Sequence, residues 1–554
     1  MIWTGTKRWL QWTDAVAGCP CGGRCAAAEH RSSLIGSLMR HLPGSIVPEP
    51  VTQVTPPGAA PFVLTTASRI VATTAAAPVA DYLAALLRPS TGFPLPSIAP
   101  IERGPAGADP APTHDIVLHL DVADTRNLGA EGYALETSAV GVFVTAATPA
   151  GLFYGIQSLR QLFPSQIEAR SVQSAAWEAP ATTVTDHPRF SYRGAMLDVV
   201  RHFFGVDEVC RFIDVIALFK INVLHLHLTD DQGWRITIDS HPELTSIGGA
   251  TEVDGGPGGF YSKDDFARIV EHAAQRFVTI VPEIDVPGHT NAALSSLPEL
   301  NPDGNPVTPY TGTEVGFSTL DTTSDATWAF LDDVFREVAE QTPGPWLHFG
   351  GDESHVTPHD AYREFVGKAS RLVASHGKIP IAWHEAGAGT DLAPGTVGQY
   401  WSSLAPNEIA VDRARSFVRQ GGSLILSPSD VAYLDMSYDE SSPIGLSWAD
   451  GPTSVRASYE WEPTEILPDA STAMLGIEAP LWTETVRSRA DIDYLVFPRL
   501  IAVAEIAWSA PATESPRRVW PDFAARLEAL EPHLTAAGIT PGKQVRGHDV
   551  GQAV

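Results

Sequence analysis

Ala195-Met-Leu-Asp-Val-Val200 is followed by Asp207-Glu-Val-Cys-Arg-Phe-Ile-Asp-Val-Ile-Ala-Leu-Phe219 and then by Val223-Leu-His-Leu-His-Leu-Thr-Asp230. A short apolar run, a longer stretch with apolar residues at helical spacing and a second apolar run spell strand, helix, strand. The same rhythm recurs downstream. Further strands are expected at Val278–Asp285, Trp346–Glu353, Ile379–Glu385, Thr396–Trp401, Ser423–Ser427 and Ala473–Trp482. Helices are expected between them at Ser262–Arg276, Asp325–Gln341, Ala361–His376, Glu408–Gln420 and Ile492–Trp508. Ser262-Lys-Asp-Asp265 resembles a capping box at a helix start. Eight strands joined by helical crossovers fit an α/β chain with a (β/α)8 TIM barrel. The competing doubly wound sheet wants a Gly-rich phosphate loop after its first strand, and Asp198-Val-Val-Arg-His202 is not one.

Upstream, the chain reads as a small α+β domain with an antiparallel sheet, over residues 44–187. Its expected strands are Phe62–Leu64, Arg69–Ala72, Asp115–Asp121, Gly132–Glu136 and Gly141–Thr145, with helices at Pro78–Leu87 and Pro149–Phe163. Asp186-His-Pro188 marks the expected boundary, the barrel spanning 188–510 and a C-terminal helical segment and tail 511–554. Residues 1–43 read as a disordered extension, with Met39 an alternative start. Val16-Ala-Gly-Cys19 looks like a lipoprotein cleavage box, but Gln11 and Asp14 interrupt the apolar region a signal needs, so the location stays open with cytoplasmic favoured over exported. Cys19, Cys21 and Cys25, with His30 a possible fourth ligand, give only a weak signal of a metal knuckle and their role stays open, while Cys210 is expected to be a buried helix residue.

Composition narrows the function. The 554 residues carry 37 Lys+Arg against 65 Asp+Glu, a net charge of −28, which argues against nucleic-acid and anionic-membrane partners. No apolar run is long enough to span a bilayer as a helix.

Barrel chemistry collects on the loops after the strands. Those positions hold Arg201, Asp230 and Asp231, Asp285 and His289, Asp352 and Glu353, Trp383 with His384 and Glu385, Trp401, Tyr433 and Asp435, and Trp482 with Glu484. A rim of carboxylates, one cation and several tryptophans suits a neutral, hydroxyl-rich ring: sugars offer C–H faces for stacking and hydroxyls for hydrogen bonds. The sharpest element is His348-Phe-Gly-Gly-Asp-Glu353. Adjacent carboxylates in extended backbone point oppositely and can address different substrate atoms, and proximity raises the proton affinity of one of them. His225 and His227 lack zinc-site spacing and are expected to serve packing.

His348-Phe-Gly-Gly-Asp-Glu353 resembles the signature of family 20 glycoside hydrolases, the β-N-acetylhexosaminidases. Leu197-Asp-Val-Val-Arg-His202, His225-Leu-His-Leu-Thr-Asp-Asp-Gln-Gly-Trp-Arg235 and Pro282-Glu-Ile-Asp-Val-Pro-Gly-His289 resemble three further motifs of that family. Ala147-Thr-Pro-Ala-Gly-Leu-Phe-Tyr-Gly155 resembles its small N-terminal domain, and the likeness runs from about Pro48 to Ser509. The resemblance implies exo-acting removal of terminal β-linked GlcNAc or GalNAc with retention, the substrate's 2-acetamido oxygen acting as nucleophile through an oxazolinium intermediate. It implies Glu353 as general acid/base, Asp352 as the group orienting the acetamido N–H, and Tyr433 as donor to the acetamido oxygen. It implies Trp383, Trp401 and Trp482 as the acetamido walls, Arg201, Asp435 and Glu484 on sugar hydroxyls, and Trp448 as platform for the next sugar. Asp230 and His289 would support the acid/base, while Asp231, Trp234 and Arg235 shape a loop. No cofactor or metal is expected. The expected partners are N-acetylhexosaminides, chito-oligosaccharides or glycans, met by a monomer or homodimer. Three alternatives stay open: a disaccharide-releasing lacto-N-biosidase-like enzyme, a silent carbohydrate-binding protein and a metal-dependent barrel hydrolase.

Overall fold

Eight short parallel strands close on themselves at the centre of the chain: β1 (Tyr192–Asp198), β2 (Val223–His227), β3 (Thr279–Glu283), β4 (Trp346–His348), β5 (Ile379–Trp383), β6 (Val397–Tyr400), β7 (Ser423–Leu426) and β8 (Met474–Leu481). Each pairs with its sequence neighbour, and β8 pairs back onto β1 with Tyr192 opposite Gly476. This computed structural model describes residues 45–99, 114–121, 123, 128–405 and 407–543. Cys19, Cys21, Cys25, the leader-like segment and Met39 lie outside the described residues. Among those described, no helix is long and apolar enough to cross a membrane.

The strands stop one to five residues short of most of the expected ends, because the carboxylates and tryptophans there belong to the loops. The gap is greatest at β4, which ends at His348. Asp352 and Glu353 therefore leave the sheet on a tight turn in which Gly350, Gly351 and Glu353 have φ of 66°, 100° and 45°. The expectation that extended backbone separates the two carboxylates is corrected: the turn does so. A Cβ on Gly350 would sit 1.7 Å from Asp285 Oδ1, so both its conformation and its space demand glycine.

Between the strands lie helices whose apolar stripes pack on the barrel. Val206–Ala217 buries Val209, Phe212, Ile213 and Ile216; Cys210 is only half-buried there, not buried as expected. Lys263–Ala274 starts at Ser262, where Asp265 completes the capping box in both directions. The single helix expected at Ile492–Trp508 is two, Arg489–Val496 and Arg499–Trp508, broken at Phe497-Pro498 because proline has no N–H to continue the ladder.

The barrel interior is layered, as period-2 strands require. A lower layer of Tyr192, Val223, Val281, Ile381, Val397 and Ile425 is apolar. One step up, β2, β3, β4, β5, β6 and β8 present His225, Glu283, His348, Trp383, Gln399 and Glu478, all buried. That polar layer carries the site above it.

The N-terminal part forms a seven-stranded sheet. Tyr133–Ser138 pairs antiparallel with Gly141–Ala146 and with Thr182–Asp186, and Asp115–Leu120 joins Gly141–Ala146 in parallel. Helices Ala77–Thr91 and Pro149–Leu162 cover it; in the second, Thr148 caps the Gly151 N–H and Pro149 takes the first turn. The seam to the barrel combines aromatic packing, Phe153 on Phe277 and Tyr154 on Trp508, with a buried ion pair. Lys220 Nζ, fully buried, lies 2.9 Å from Asp186 Oδ2, and Trp508 Nε1 donates to the same carboxylate at 3.0 Å. Helix Trp520–Ala536 is the last among the described residues, Arg526 donating to both oxygens of Glu505 at 2.6 Å. Glu505 also accepts from the Glu49 N–H, and Ser509 Oγ donates to Glu49 O.

Candidate active site

The residues expected from the strand ends converge above the polar layer. Arg201 is held at the end of β1 by Asp198, whose Oδ1 accepts from Val200 N and Arg201 N while Oδ2 accepts from Thr483 N. Asp198 thus ties the loops carrying Arg201 and Glu484 together. The Arg201 guanidinium pairs with Asp230 Oδ2 at 2.7 Å and lies 4.8 Å from the centre of the Trp482 ring. Its Nε has no hydrogen-bond partner, nor do Glu484 Oε2 and both Asp435 oxygens, all buried. Unsatisfied buried polar atoms on one surface are what a hydroxyl-bearing ligand would complete.

Asp230 is the hub. Its Oδ2 meets His227 Nε2 at 2.7 Å and its Oδ1 meets His289 Nδ1 at 3.1 Å. His289 Nε2 faces Asp352 Oδ2 at 3.7 Å and Glu353 Oε2 at 3.6 Å, with no hydrogen bond of its own. His289 and Glu353 both occupy the left-handed region, φ 55° and 45°, a backbone strain of the kind active sites retain.

Electrostatics separates the two carboxylates. Burial pushes Asp352 up to about 6, with His289 opposing and Glu385 adding to the rise. Glu353 is also raised, by burial and then by the Asp352 charge, while His289 and Arg201 pull it back. Below them Asp285 accepts the Gly351 N–H at 3.0 Å and is raised well above the carboxylate range by burial and by Asp352. Asp230 goes the other way: Arg201 and His289 outweigh its burial and hold it far below the ordinary value.

The aromatic wall is assembled from four strand ends, those of β5, β6, β7 and β8. Trp383 and Trp482 lie 5.9 Å apart, and Tyr433 is 6.5 Å from Trp482 and 5.6 Å from Trp448. Trp401 packs with Tyr433, Met436, Ala449 and Trp482. Trp448 is half exposed at the rim. Every residue expected at the site is thus in one cluster, and none lies elsewhere in the fold. Asp231, Trp234 and Arg235 bond to neighbouring loop backbone instead, Arg235 reaching the carbonyls of Val200, Gly249, Thr251 and Gly259.

Other residues joined the site without being assigned to it in the sequence. Glu283 Oε1 accepts from the Trp383 indole at 2.8 Å, and the same carboxylate meets His225 Nε2 at 3.0 Å and His227 Nδ1 at 2.5 Å. Glu478 accepts from Tyr192 Oη (2.6 Å) and Gln399 Nε2 (2.7 Å) and pairs with His225 Nδ1 at 2.9 Å. Packing is therefore too weak a description of the two histidines. Burial alone would lower them, yet Glu478 with Glu283, and Glu283 with Asp230, push His225 and His227 up to about 10. The readable signal for Glu478 was an acid inside an otherwise apolar strand, which costs too much unless paired. Among the described residues four triads of this acid–histidine set bring ligand-type atoms within 4.8 Å of one another, and their members are engaged mostly with each other.

Comparison with known proteins agrees with this geometry. The model of glycosyl hydrolase family 20, catalytic domain, matches residues 190–360 and 355–511, and that of family 20, domain 2, matches 44–187. The β-N-acetylhexosaminidase of Cellulomonas fimi is 41% identical over 497 residues, covering 89% of this chain and 95% of that protein. The solved family 20 β-N-acetylhexosaminidase of Streptomyces coelicolor A3(2) superposes with a TM-score of 0.84 at 44% identity, over 90% of this chain and 98% of that one. A variant β-hexosaminidase of Streptomyces plicatus, solved with its product GlcNAc, gives 0.84 at 45% identity over 90% and 97%. The chain belongs to glycosyl hydrolase family 20 and is a glycoside hydrolase of the β-N-acetylhexosaminidase type.

Proposed function

We propose that the protein removes single terminal β-linked N-acetylhexosamine residues from the non-reducing end of carbohydrates, with retention and with the substrate's own acetamido group as nucleophile. The observation that carries this reading is the pair Asp352 and Glu353, both within 4 Å of His289 Nε2 and set beside Tyr433 and the tryptophan wall. Retaining hydrolysis by two protein carboxylates needs one of them free to reach the anomeric carbon. Asp352 is almost wholly buried, with His289 and Asp285 around it, whereas Glu353 stays partly exposed. That asymmetry suits a buried anion that orients a group and an outer acid that exchanges protons with leaving group and water.

In the first step the acetamido carbonyl oxygen bonds to C1 as the C1–O bond to the leaving group breaks. Glu353 delivers its proton to the departing oxygen. Asp352 accepts the acetamido N–H and offsets the positive charge of the oxazolinium, while the Tyr433 hydroxyl donates to the attacking oxygen and fixes its approach. In the second step water adds to C1 and gives its proton to the Glu353 carboxylate. The bond between C1 and the acyl oxygen breaks, restoring the acetamide. Arg201, Asp435 and Glu484 hold the ring hydroxyls, and Trp448 supports the leaving sugar of a chito-oligosaccharide or glycan.

The test is hydrolysis of a nitrophenyl β-N-acetylglucosaminide beside the plain β-glucoside, with and without a thiazoline analogue of the intermediate. Turnover of the first alone, abolished by the thiazoline, is expected; equal turnover of both would overturn acetamido participation. Glu353→Gln is expected to lose most activity on substrates with poor leaving groups and to retain more on nitrophenyl glycosides, whose departure needs less protonation.

A further inference from the structure

We propose that Glu385 is a positioning residue whose hold on the Trp401 indole sets how large an N-acyl group the site admits, an inference that rests on the acetamido pocket described above. Trp401 follows β6 directly and stands between two unlike environments. It packs with Tyr433, Met436, Ala449 and Trp482, the aromatic cluster of the site. It also borders a cleft of about 460 Å³, whose lining includes Glu385, Ser402, Ile409, Arg413, Trp448 and Ala449. Trp401 thus borders open space as well as the aromatic cluster, and it is itself only partly buried.

The restraints on the indole are at its edges. Its Nε1 donates to Glu385 Oε2 at 2.9 Å; Trp448 meets it at 6.1 Å between ring centres, T-shaped, and His384 at 5.5 Å, tilted. Glu385 is well placed to anchor it. It lies in the one-turn helix His384–Ala388 that follows β5, with its side chain 16% exposed. A hydrogen bond to a carboxyl oxygen is directional and so fixes the orientation of the ring that donates it. A hydrophobic pocket discriminates roughly 10- to 200-fold per methylene only when its wall cannot yield. Here the wall borders open space, and its only hydrogen bond from the ring is the one to Glu385. Releasing that bond lets the indole turn toward the cleft and lengthens the pocket where the acyl methyl would lie. The reaction is unchanged for a longer acyl chain, since the same carbonyl oxygen attacks C1 and the same bond to the leaving group breaks.

The experiment compares kcat/KM for nitrophenyl N-acetyl-, N-propionyl- and N-butyryl-β-glucosaminides in wild type, E385Q, E385A, W401F and the E385A/W401F double variant. E385A is expected to narrow the acetyl-over-butyryl ratio by about 10-fold. E385Q keeps an amide oxygen to accept the same N–H and is expected to stay within roughly 3-fold of the wild-type ratio. W401F lacks the N–H and should narrow the ratio as E385A does, and the double variant should add nothing, as two changes to one interaction must. An unchanged ratio in E385A overturns the proposal; if E385A does not fold, an unchanged ratio in W401F overturns it. Wild-type inactivity on the N-acetyl substrate would instead sink the proposed function, whereas an active enzyme with a fixed ratio sinks only the role of Glu385.

Discussion

In the proposed mechanism Asp352 and Glu353 are neighbours with opposite duties, and their surroundings make the difference testable. Asp352 must be ionised to stabilise a cation, yet burial has moved it up to about 6. On the acid side kcat/KM is therefore expected to fall with an apparent pKa near 6, and Asp352→Asn should remove that limb while lowering the rate roughly 10²- to 10³-fold. The sign for stability is the reverse. A carboxyl raised in the fold stabilises it below the ordinary carboxylate range, and that contribution is lost as pH rises through about 6. At pH 7.5 the Asn variant should consequently melt no lower than wild type, and a thermal scan beside the rate profile checks both signs at once. A marked drop in melting temperature would mean that the ionised Asp352 is structural.

At the scale of elements, the middle layer of the barrel is a ladder in which carboxylates and imidazoles alternate: Glu478, His225, Glu283, His227, Asp230, His289. Its rungs come from β8, β2 and β3 and from the loops above, so it joins the strands through their side chains as well as their backbones. Because His225 and His227 are raised to about 10 from 6.5, their contribution to stability is complete below pH 6.5 and is lost as pH rises through 10. Glu283→Gln removes the anion between them. The expected result is a loss of about 3–5 kcal/mol at neutral pH, the usual cost of stranding a buried charge. A flatter melting temperature between pH 6.5 and 10 should accompany it, measured by calorimetry against wild type. Little of this ladder was legible in advance. The strand–helix rhythm and the residues at strand ends could be read because periodicity and position are local properties. Partners such as Glu478 and His225, 253 residues apart, are set by register around a closed barrel, which no local pattern records. The same limit explains the turn at Gly350–Glu353: adjacent carboxylates were visible, but the glycine conformations that aim them were not.

For the molecule as a whole, the seam between the small domain and the barrel holds a buried lysine among its apolar and aromatic contacts. Lys220 is fully enclosed, and burial lowers its proton affinity while Asp186 restores part of it. Asp186→Ala should destabilise the protein by about 3–5 kcal/mol. Calorimetry should also show the single unfolding transition of wild type splitting in two as the small domain uncouples. A single transition of unchanged midpoint would mean the seam is held by other contacts. The clasp of Ile46 and Glu49 with Glu505, Ser509 and Arg526 has a consequence for biosynthesis. Ile46 leaves the ribosome 480 residues before the Arg526 guanidinium that reaches its carbonyl. Until that last helix is translated, Glu505 has neither of its two arginine hydrogen bonds, and the segment around Glu49 has no finished surface to dock on. The nascent chain must therefore carry the Ile46–Glu49 segment undocked until residue 526 is made, and a ribosome stalled before residue 520 would display a barrel with that segment still open to proteases.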